Sequence, residues 1–329
     1  MGDVAMCVPV VRTLLEAYPD LQVTFLSQSV FAPLFGGIDR LHFHAADLRG
    51  RHKGLAGMLR LYRELRGLGP FDAVADLHQV LRSAQLDLLF RLSGWNVAVI
   101  HKGRNEKKDL TRRDHKQFQR LPSTFSRYAD VFKRLSLPVS LEISPQIPES
   151  TAPSSRKSVR GEIQLGIAPF AKHSGKTWPI ERMRLVVESI SARGDIRVLL
   201  FGGGKTERML LDTWAEEIPG VTSMAGRYSL KEELAIIAGL DLMVSMDSAN
   251  MHLASMAGVP VVSIWGATHP YAGFLGWQQS EDRVVQSDMD CRPCSVFGNK
   301  PCYKGTHACM TSITPEDVIK KILMALSLD

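Results

Sequence analysis

Short apolar runs alternate along this chain with longer amphipathic segments, a rhythm that is typical of β-α-β units and of a parallel sheet. In the first half, the apolar runs predict strands and the segments between them predict helices. The predicted strands are Gln22–Ser27, Ala73–Asp76 and Asn96–Ile100, and the predicted helices are Val10–Tyr18, Gly57–Leu68, Leu81–Leu92 and Phe125–Leu135.

The same rhythm returns in the second half of the chain. The predicted strands are Glu162–Ala168, Arg197–Phe201, Leu242–Met246 and Val261–Trp265, and the predicted helices are Ile180–Arg193, Lys205–Ile218, Ser229–Ala238 and Ala249–Ala257. A last helix is predicted to begin after Thr314, because Pro315 would occupy its first position and Glu316 and Asp317 its first turn.

A segment rich in proline and serine, Ile143–Lys157, separates the two halves and has no hydrophobic periodicity. Such a composition is typical of a linker. The chain has 329 residues, more than a single hydrophobic core usually covers. We therefore predict an α/β protein of two Rossmann-like domains, residues 1–150 and 151–329, whose parallel sheets face a cleft.

The composition indicates a soluble globular protein, with 45% hydrophobic and 22% charged residues. No apolar run approaches the roughly 20 residues that are needed to span a bilayer. The N-terminus also lacks the succession of basic, apolar and small residues that marks a signal peptide. We therefore expect a cytoplasmic protein.

The net charge of +6 is concentrated between His101 and Arg120. This stretch contains three acids and eight basic residues, namely Lys102, Arg104, Lys107, Lys108, Arg112, Arg113, Lys116 and Arg120. Such a patch attracts nucleic acid, anionic lipid head groups or a phosphorylated acceptor, although an ordinary solvated loop and helix face would look the same. Because no nucleic-acid motif or aromatic interleaving accompanies it, we expect no nucleic-acid partner.

Two glycine-lysine pairs imitate phosphate-binding loops. Gly175-Lys176 and Gly204-Lys205 each lack the glycine that a P-loop needs five residues earlier, where this chain has Phe170 and Leu199. The dinucleotide fingerprint G-x-G-x-x-G is absent as well, which argues against an NAD-dependent oxidoreductase. The glycines at 202–204 fit a tight strand-to-helix turn as well as an anion site.

The segment Asp241–Pro270 is more informative. A predicted buried strand ends at Asp247, and His252 lies in the helix that follows; the next strand ends in Gly266-Ala267-Thr268. In an open parallel sheet, ligands bind outside the carboxyl ends of the strands. The polar residues at these two strand ends therefore predict a ligand site, whereas His252 alone would be interpreted as a core or capping histidine.

This segment resembles the signature D-[ST]-G-x-x-H-L-A…G-x-P…[FY]-G-x-T-x-P of the glycosyltransferase family 9 heptosyltransferases. The matching residues are Asp247, Ser248, His252, Leu253, Ala254, Gly258, Pro260, Gly266, Thr268 and Pro270, and Ala249 departs from the usual glycine. Members of that family are bacterial enzymes of the GT-B fold that transfer heptose from ADP-heptose to the lipopolysaccharide inner core.

The resemblance implies roles for further residues. Lys176-Thr177-Trp178-Pro179 is similar to the family's K-x-W-P element, whose lysine contacts the donor phosphate, and Glu207 falls where the family holds the donor ribose. Together with Asp247, Ser248, His252 and Thr268, these residues would bind an ADP-sugar as substrate, and the resemblance implies no required cofactor or metal.

The N-terminal Met1-Gly2-Asp3-Val4 is similar to the family's G-D-[VIL]…P loop, in which the aspartate is the proposed general base. The resemblance therefore implies Asp3 as the base that accepts a proton from the acceptor hydroxyl during an inverting displacement. In the family an apolar strand precedes this loop, and here nothing precedes Met1. We therefore expect the first domain to lack its first strand and Asp3 to be weakly held.

The predicted function is an inverting, metal-independent glycosyltransferase that moves heptose or a similar sugar to a lipopolysaccharide core or a related phosphorylated glycolipid. We expect the acceptor to meet the basic residues Arg104, Lys107, Lys108, Arg112 and Arg113, in peripheral contact with the inner membrane. A catalytically impaired nucleotide-sugar-binding protein and a GT-B sugar-nucleotide epimerase are the alternatives, since both share the fold and the donor.

Four cysteines lie close together near the C-terminus, at Cys291, Cys294, Cys302 and Cys309. A C-x-x-C pair followed by two more cysteines fits a tetrahedral zinc site in a reducing compartment. Reduced cysteines that pack a loop would give the same pattern, so zinc is a candidate here and not a requirement.

Overall fold

A computed structural model describes residues 1–141 and 162–328. The chain forms two compact units. The first comprises Met1, Asp3–Lys102 and Thr124–Pro145, and the second comprises Gly2, Gly103–Ser123 and Gln146–Asp329. The predicted linker, Ile143–Lys157, and the predicted boundary at 150/151 lie outside the described residues. Within the described residues, the units differ from the predicted domains because residues 103–123, and Gly2 by itself, belong to the second unit.

The first unit contains strands and helices in alternation. In chain order they are α1 (Gly2–Ala17), β1 (Val23–Ser27), β2 (Leu41–Ala45), α2 (Gly54–Gly67), β3 (Ala73–Asp76), α3 (Leu81–Leu92), β4 (Asn96–Val99) and, after the excursion into the second unit, α5 (Thr124–Arg134). A 3-10 helix, Ser29–Phe35, follows β1. Strand β2 was not predicted, because its alternation of histidine with Leu41 and Phe43 carries a weak hydrophobic signal.

The four strands of this unit form two parallel pairs, β1 with β2 and β3 with β4. Within the ranges 1–141 and 162–328, no strand joins the two pairs into one sheet. Apolar side chains of α2 and α3 form a buried cluster that includes Leu61, Leu65 and Phe90, and Phe90 stacks on Trp95 at the start of the β4 segment.

Helix α1 begins earlier than predicted. Gly2-Asp3-Val4 forms its first turn and not a loop, because the helix continues through Pro9 and buries the residues from Ala5 to Val11. The missing main-chain donor of Pro9 leaves its helical hydrogen bond unmade. The predicted beginning at Val10 is therefore wrong, and Asp3 is a helix residue.

The second unit begins with a short helix, α4 (Arg104–Leu110), followed by a loop. After the undescribed residues it continues with β5 (Ile163–Ala168), α6 (Ile180–Ser191), β6 (Ile196–Leu200), α7 (Lys205–Glu217), β7 (Val221–Ser223), α8 (Leu230–Ala238), β8 (Leu242–Met246), α9 (Ala249–Met256), β9 (Val261–Trp265), β10 (Val284–Gln286), α10 (Ala308–Thr311) and α11 (Pro315–Leu326). The predicted beginning of α11 is confirmed, since Thr314 and Asp317 cap it reciprocally.

Six parallel strands form one sheet in the order β10-β9-β8-β5-β6-β7. In chain order within this unit, that is the Rossmann arrangement 3-2-1-4-5-6, whose order reverses between β5 and β8. Both faces are covered, so β8 and β9 are buried at every residue. The reversal opens a crevice at the carboxyl ends of β5 and β8, which is where such sheets bind ligands.

The excursion 103–123 is attached to the second unit by packing as well as by polar contacts. Leu110 and Leu121 form a small apolar cluster with Ala272. The main-chain amide of Leu121 donates to Tyr271 O at 2.9 Å. None of the helices in the described ranges is both long and apolar enough to cross a membrane.

Candidate functional site

The loop after β5 carries the first predicted site residue. A 3-10 turn, Ser174–Lys176, ends on Lys176, and the next residue but one, Trp178, is fully buried. The indole Nε1 of Trp178 donates to Met310 O at 3.1 Å and to Ile313 O at 3.3 Å. The tryptophan therefore anchors this loop to the segment before α11, which fixes the position from which Lys176 extends.

Lys176, Asp247 and Thr268 meet at the carboxyl edge of the sheet. The Nζ atom of Lys176 lies 2.8 Å from Oδ2 of Asp247, and the Thr268 hydroxyl donates to the same oxygen at 2.8 Å. Asp247 follows β8, Lys176 follows β5 and Thr268 follows β9, so the crevice between β5 and β8 brings them together. The carboxylate is 3% exposed and the lysine side chain 14%, which makes this a largely buried ion pair.

Helix α9 begins at Ala249, two residues after Asp247. Ser248 is its N-cap residue, and the Ser248 hydroxyl lies 3.1 Å from the hydroxyl of Ser245 in β8. His252 is buried within the same helix. The unpaired amides of a helix N-terminus carry partial positive charge. Ser248 and the first turn of α9 therefore add positive potential on the same side of the sheet as Lys176.

Glu207 lies at the carboxyl end of β6, in the first turn of α7. Its Oε2 accepts a hydrogen bond from the Gly203 amide at 2.7 Å, so the carboxylate closes the glycine turn. Gly204, the N-cap of α7, has φ 79° and ψ 164°, a conformation that is essentially restricted to glycine. The glycines at 202–204 therefore form a tight strand-to-helix turn. That turn also lies at the carboxyl edge of the sheet, where an anion could bind.

A residue that the sequence analysis missed, Arg292, lies under the loop that contains Thr268. Its guanidinium is buried and donates to Gly266 O at 2.6 Å and to Thr268 O at 3.0 Å. Burial lowers the pKa of Arg292 to about 10, so it is charged at neutral pH. No spacing rule marks an arginine between two cysteines as a contact of the loop after β9, and only the fold shows it.

His269 follows Thr268 and is also buried. Its Nδ1 accepts a hydrogen bond from the Tyr271 amide at 3.1 Å, and its ring packs against Tyr271 and Phe118. Burial, followed by the positive charge of Arg292, lowers the pKa of His269 to about 4. The imidazole is therefore neutral at physiological pH and adds no charge to the site.

The first unit contains the predicted base, Asp3. Its side chain is exposed in the first turn of α1, and its main-chain carbonyl accepts from the Tyr128 hydroxyl at 3.2 Å and from the Cys7 thiol at 3.3 Å. These contacts hold the backbone of Asp3 and leave the carboxylate to solvent.

A pair of neighbouring carboxyl groups, Asp76 and Asp87, also lies in the first unit. Asp76, at the end of β3, accepts hydrogen bonds from the amides of His78 and Gln79 at 2.8 and 2.9 Å and from the Ser83 hydroxyl at 2.8 Å. Asp87, on α3, is 4% exposed. Burial, followed by the negative charge of Asp76, raises the pKa of Asp87 to about 7.

The structure changes the interpretation of the basic stretch. Arg104, Lys108, Arg112 and Arg113 are exposed, but Lys107 is buried with its Nζ 4.4 Å from the centre of the Phe274 ring. Including Lys107 in a surface patch was therefore wrong. Several other cations of the stretch are held within the second unit: Arg112 by Asp109, Arg113 by the Tyr303 ring, Lys116 by two main-chain carbonyls, and Arg120 by Glu281.

The four C-terminal cysteines are reduced. Within the ranges that the structure describes, no three His, Cys, Asp or Glu side chains converge as metal ligands would. Zinc at Cys291, Cys294, Cys302 and Cys309 therefore stays a candidate from the sequence alone. The segment contacts the loop after β9, because the amides of Cys294 and Ser295 donate to Ala267 O at 3.0 and 3.2 Å. These hydrogen bonds help to hold that loop in place.

Known proteins share this sequence pattern and fold. The family profile of glycosyltransferase family 9 (heptosyltransferase) matches residues 58–302. Lipooligosaccharide heptosyltransferase 2 of Campylobacter jejuni is 26% identical over 98% of this chain and 94% of its own length. Lipopolysaccharide heptosyltransferase 3 of Escherichia coli is 24% identical over 87% of this chain and 85% of its own length.

Solved structures agree with that likeness at the level of the fold. A family 9 glycosyl transferase of Veillonella parvula has a TM-score of 0.75 at 19% identity and covers 99% of this chain and 94% of its own. An Escherichia coli heptosyltransferase solved with ADP has a TM-score of 0.67 at 20% identity, covering 99% and 97% of the two chains. The predicted GT-B fold is confirmed.

Proposed function

The chain belongs to glycosyltransferase family 9, the heptosyltransferases, and from that membership we propose that it transfers heptose from ADP-heptose to a lipopolysaccharide core. The observation that supports the donor site is the buried group of Lys176, Asp247 and Thr268 at the crevice of the Rossmann sheet. Relatives of similar length are named for heptosyl transfer to lipopolysaccharide or lipooligosaccharide.

The donor's diphosphate would bind where positive charge is already gathered. Lys176 presents an ammonium, and the first turn of α9 presents main-chain amides. When the donor is bound, the ammonium would be shared between Asp247 and a phosphate oxygen. Glu207, at the same sheet edge, would accept hydrogen bonds from the ribose hydroxyls, and Ser248 and His252 would line the phosphate side.

The transfer itself is a single displacement at the anomeric carbon. The acceptor hydroxyl gives its proton to a base as its oxygen bonds to that carbon, and the bond to the diphosphate oxygen breaks with its electron pair remaining on the diphosphate. Attack from the face opposite the leaving group inverts the configuration. Asp3 is the proposed base, because its carboxylate is exposed on a helix whose position is fixed by buried packing.

Lys176 and the amides of α9 supply positive charge of the kind that a metal ion supplies in other transferases, so we propose that the reaction needs no metal. We expect protein dialysed against a chelator to retain its turnover rate. Metal independence would be contradicted if dialysis removed more than half of the rate and added divalent metal restored it.

The exposed residues Arg104, Lys108, Arg112 and Arg113 are proposed to attract the anionic acceptor at the membrane surface. Attraction between exposed charges weakens with salt, because the Debye length falls to roughly 3 Å at 1 M ionic strength. The KM for the acceptor should therefore rise with salt in the wild type and less in Arg104→Gln/Lys108→Gln. Equal salt dependence in both proteins would remove the acceptor role of this surface.

The proposed function is tested by thermal unfolding against ADP-, UDP- and GDP-sugars, followed by turnover with ADP-heptose and heptose-deficient lipopolysaccharide. A ligand that binds only the folded state adds about 2.7 kcal/mol at a concentration of 100 Kd. We expect that stabilisation with ADP compounds, and we expect Asp3→Asn to keep it while losing about 10²–10⁴-fold in kcat. Stabilisation confined to UDP or GDP compounds would reject the proposed donor.

A further inference from the structure

Arg292 places a buried positive charge beneath the loop that joins β9 to the donor site. The side chain is 4% exposed. Its Nε donates to Gly266 O at 2.6 Å, and its Nη2 donates to Thr268 O at 3.0 Å and to Trp265 O at 3.2 Å. Two further oxygens, Gln286 Oε1 and Ser287 O, accept from the same guanidinium.

The partners of this arginine are all neutral. Within the described parts of the chain, no carboxylate lies within ion-pair distance of Arg292, whereas Lys176 has Asp247. The acid whose charge acts on Arg292 from farther away, Asp288, is exposed, so water screens its charge. A buried charge without a counter-ion is costly, and carbonyl dipoles offset only part of that cost. The buried charges around the loop, namely Lys176, Arg292 and Asp247, therefore leave one positive charge in excess before any ligand binds.

The hydrogen bonds connect Arg292 with the Lys176–Asp247 pair through one residue. The Thr268 carbonyl accepts from Arg292, and the Thr268 hydroxyl donates to the Asp247 carboxylate at 2.8 Å. The loop is also held from the other side, because the Ala267 amide donates to Gly175 O at 2.8 Å. Gly175 directly precedes Lys176, so both ends of the ion pair depend on where this loop lies.

We propose that Arg292 is a positioning residue for the donor site and that the donor's diphosphate is the counter-ion its buried charge lacks. The inference rests on the proposed function, since it takes a nucleoside diphosphate as the ligand. As the bond to the anomeric carbon breaks, its electron pair stays on the diphosphate oxygen and the leaving group gains a negative charge. An excess of fixed positive charge favours that change most when the charge is fully developed.

Two substitutions separate the geometry from the charge. Arg292→Gln removes the charge, and Arg292→Lys keeps the charge but loses the planar fork that reaches several carbonyls at once. Arg182→Gln is the matched control: Arg182 also donates to main-chain carbonyls of the second unit, those of Thr311 and Ile313, but not to the donor loop.

The measurements are the dissociation constant of ADP by calorimetry, kcat and KM with ADP-heptose, and the ¹³C-methyl resonance of reductively methylated Lys176 without ligand. We expect Arg292→Gln to weaken ADP binding on the order of tenfold. Removing a hydrogen-bonding group that contacts the transition state directly costs about 10²–10³-fold in rate, and a smaller effect is expected here because Arg292 acts through the loop. Arg292→Lys should recover most of that affinity, and Arg182→Gln should stay within twofold of wild type. The Lys176 resonance should move in both Arg292 variants and not in the control.

The inference is overturned if Arg292→Gln binds ADP within twofold of wild type, or if Arg292→Lys loses as much affinity as Arg292→Gln. If the wild-type protein bound no ADP at all, the proposed donor would be rejected, and the Lys176 resonance would still decide whether Arg292 positions the ion pair. An unmoved resonance in the Arg292 variants overturns that positioning. Should Arg292→Gln not fold, Arg292→Lys carries the test through the same resonance.

Discussion

Removing the ammonium of Lys176 is expected to lower both the stability of the second unit and its affinity for the donor. Lys176→Met leaves Asp247, 3% exposed, with the Thr268 hydroxyl as its remaining side-chain partner. Breaking a buried ion pair by removing one partner costs about 3–5 kcal/mol. Because Lys176 is itself 14% exposed, water can partly replace it, and we expect a loss near the lower limit of that range.

A loss of about 3 kcal/mol corresponds to a fall in Tm of roughly 6–12 °C, since 1 kcal/mol shifts Tm by about 2–4 °C in a unit of 150–250 residues. Calorimetric unfolding without ADP measures this fall in Tm, and the same scan with ADP measures the stabilisation by the ligand. Lys172→Met is the control, because Lys172 is exposed in the same loop. It should leave Tm and the ADP response unchanged.

The double variant Lys176→Met/Asp247→Asn distinguishes the physical causes. Replacing both charges removes the unpaired buried carboxylate, so Tm should return to within roughly 4 °C of wild type, while the ADP response stays lost. The reasoning is refuted if Lys176→Met unfolds at the wild-type temperature, or if it keeps the full stabilisation by ADP.

Three further outcomes follow from individual residues. The pKa of Asp87 is raised to about 7, so the folded first unit binds this proton more tightly than the unfolded chain does. The unfolding free energy of the first unit should therefore fall as pH rises from about 4 to about 7. Asp87→Asn should flatten that slope in denaturant titrations. Gly204→Ala should cost about 1–3 kcal/mol in unfolding free energy because of its φ of 79°, whereas Gly203→Ala, in open space with an ordinary φ, should cost less than half of that. Trp178→Phe keeps an aromatic ring in the core but removes the two hydrogen bonds of the indole, to Met310 O and Ile313 O. Each bond contributes about 0.5–1.5 kcal/mol, so urea unfolding should show a loss of about 1–3 kcal/mol. A loss below about 0.5 kcal/mol, roughly the scale of a surface substitution, would discount those hydrogen bonds.

The strands of the second unit could be predicted because burial on both faces imposes continuous apolar runs. Leu242–Met246 and Val261–Trp265 were predicted with their observed bounds for this reason. Three short strands were missed, β2, β7 and β10. Segments of three to five residues at or near sheet edges carry too few apolar positions to stand out from loops.

The beginning of the chain shows a different limit. The residues from Ala5 to Val11 are apolar on all sides, with Pro9 among them, and such a run does not distinguish a buried helix from a strand and loop by periodicity. The interpretation of Gly2-Asp3 as a loop came from the family resemblance. The observed helix buries this run completely, and packing overrides the local cost of the proline.

At the donor site, the family resemblance identified residues that belong to a motif, but not the buried arginine that contacts them. Asp247 and Thr268 could be inferred because both belong to a short signature at two strand ends. Their partner Arg292 lies 24 residues after Thr268 in a loop with no periodic pattern. It becomes part of the site only because the sheet order brings β10 beside β9, so that a side chain beyond β10 reaches the carbonyls at the end of β9. An excess of buried positive charge cannot be inferred from residue types alone, since its cost depends on which oxygens surround the guanidinium. The charge that makes the empty site costly is the one that a diphosphate would neutralise, so its removal should weaken donor binding. Its removal should not raise stability, because the carbonyls of Trp265, Gly266 and Thr268 would each lose a hydrogen bond.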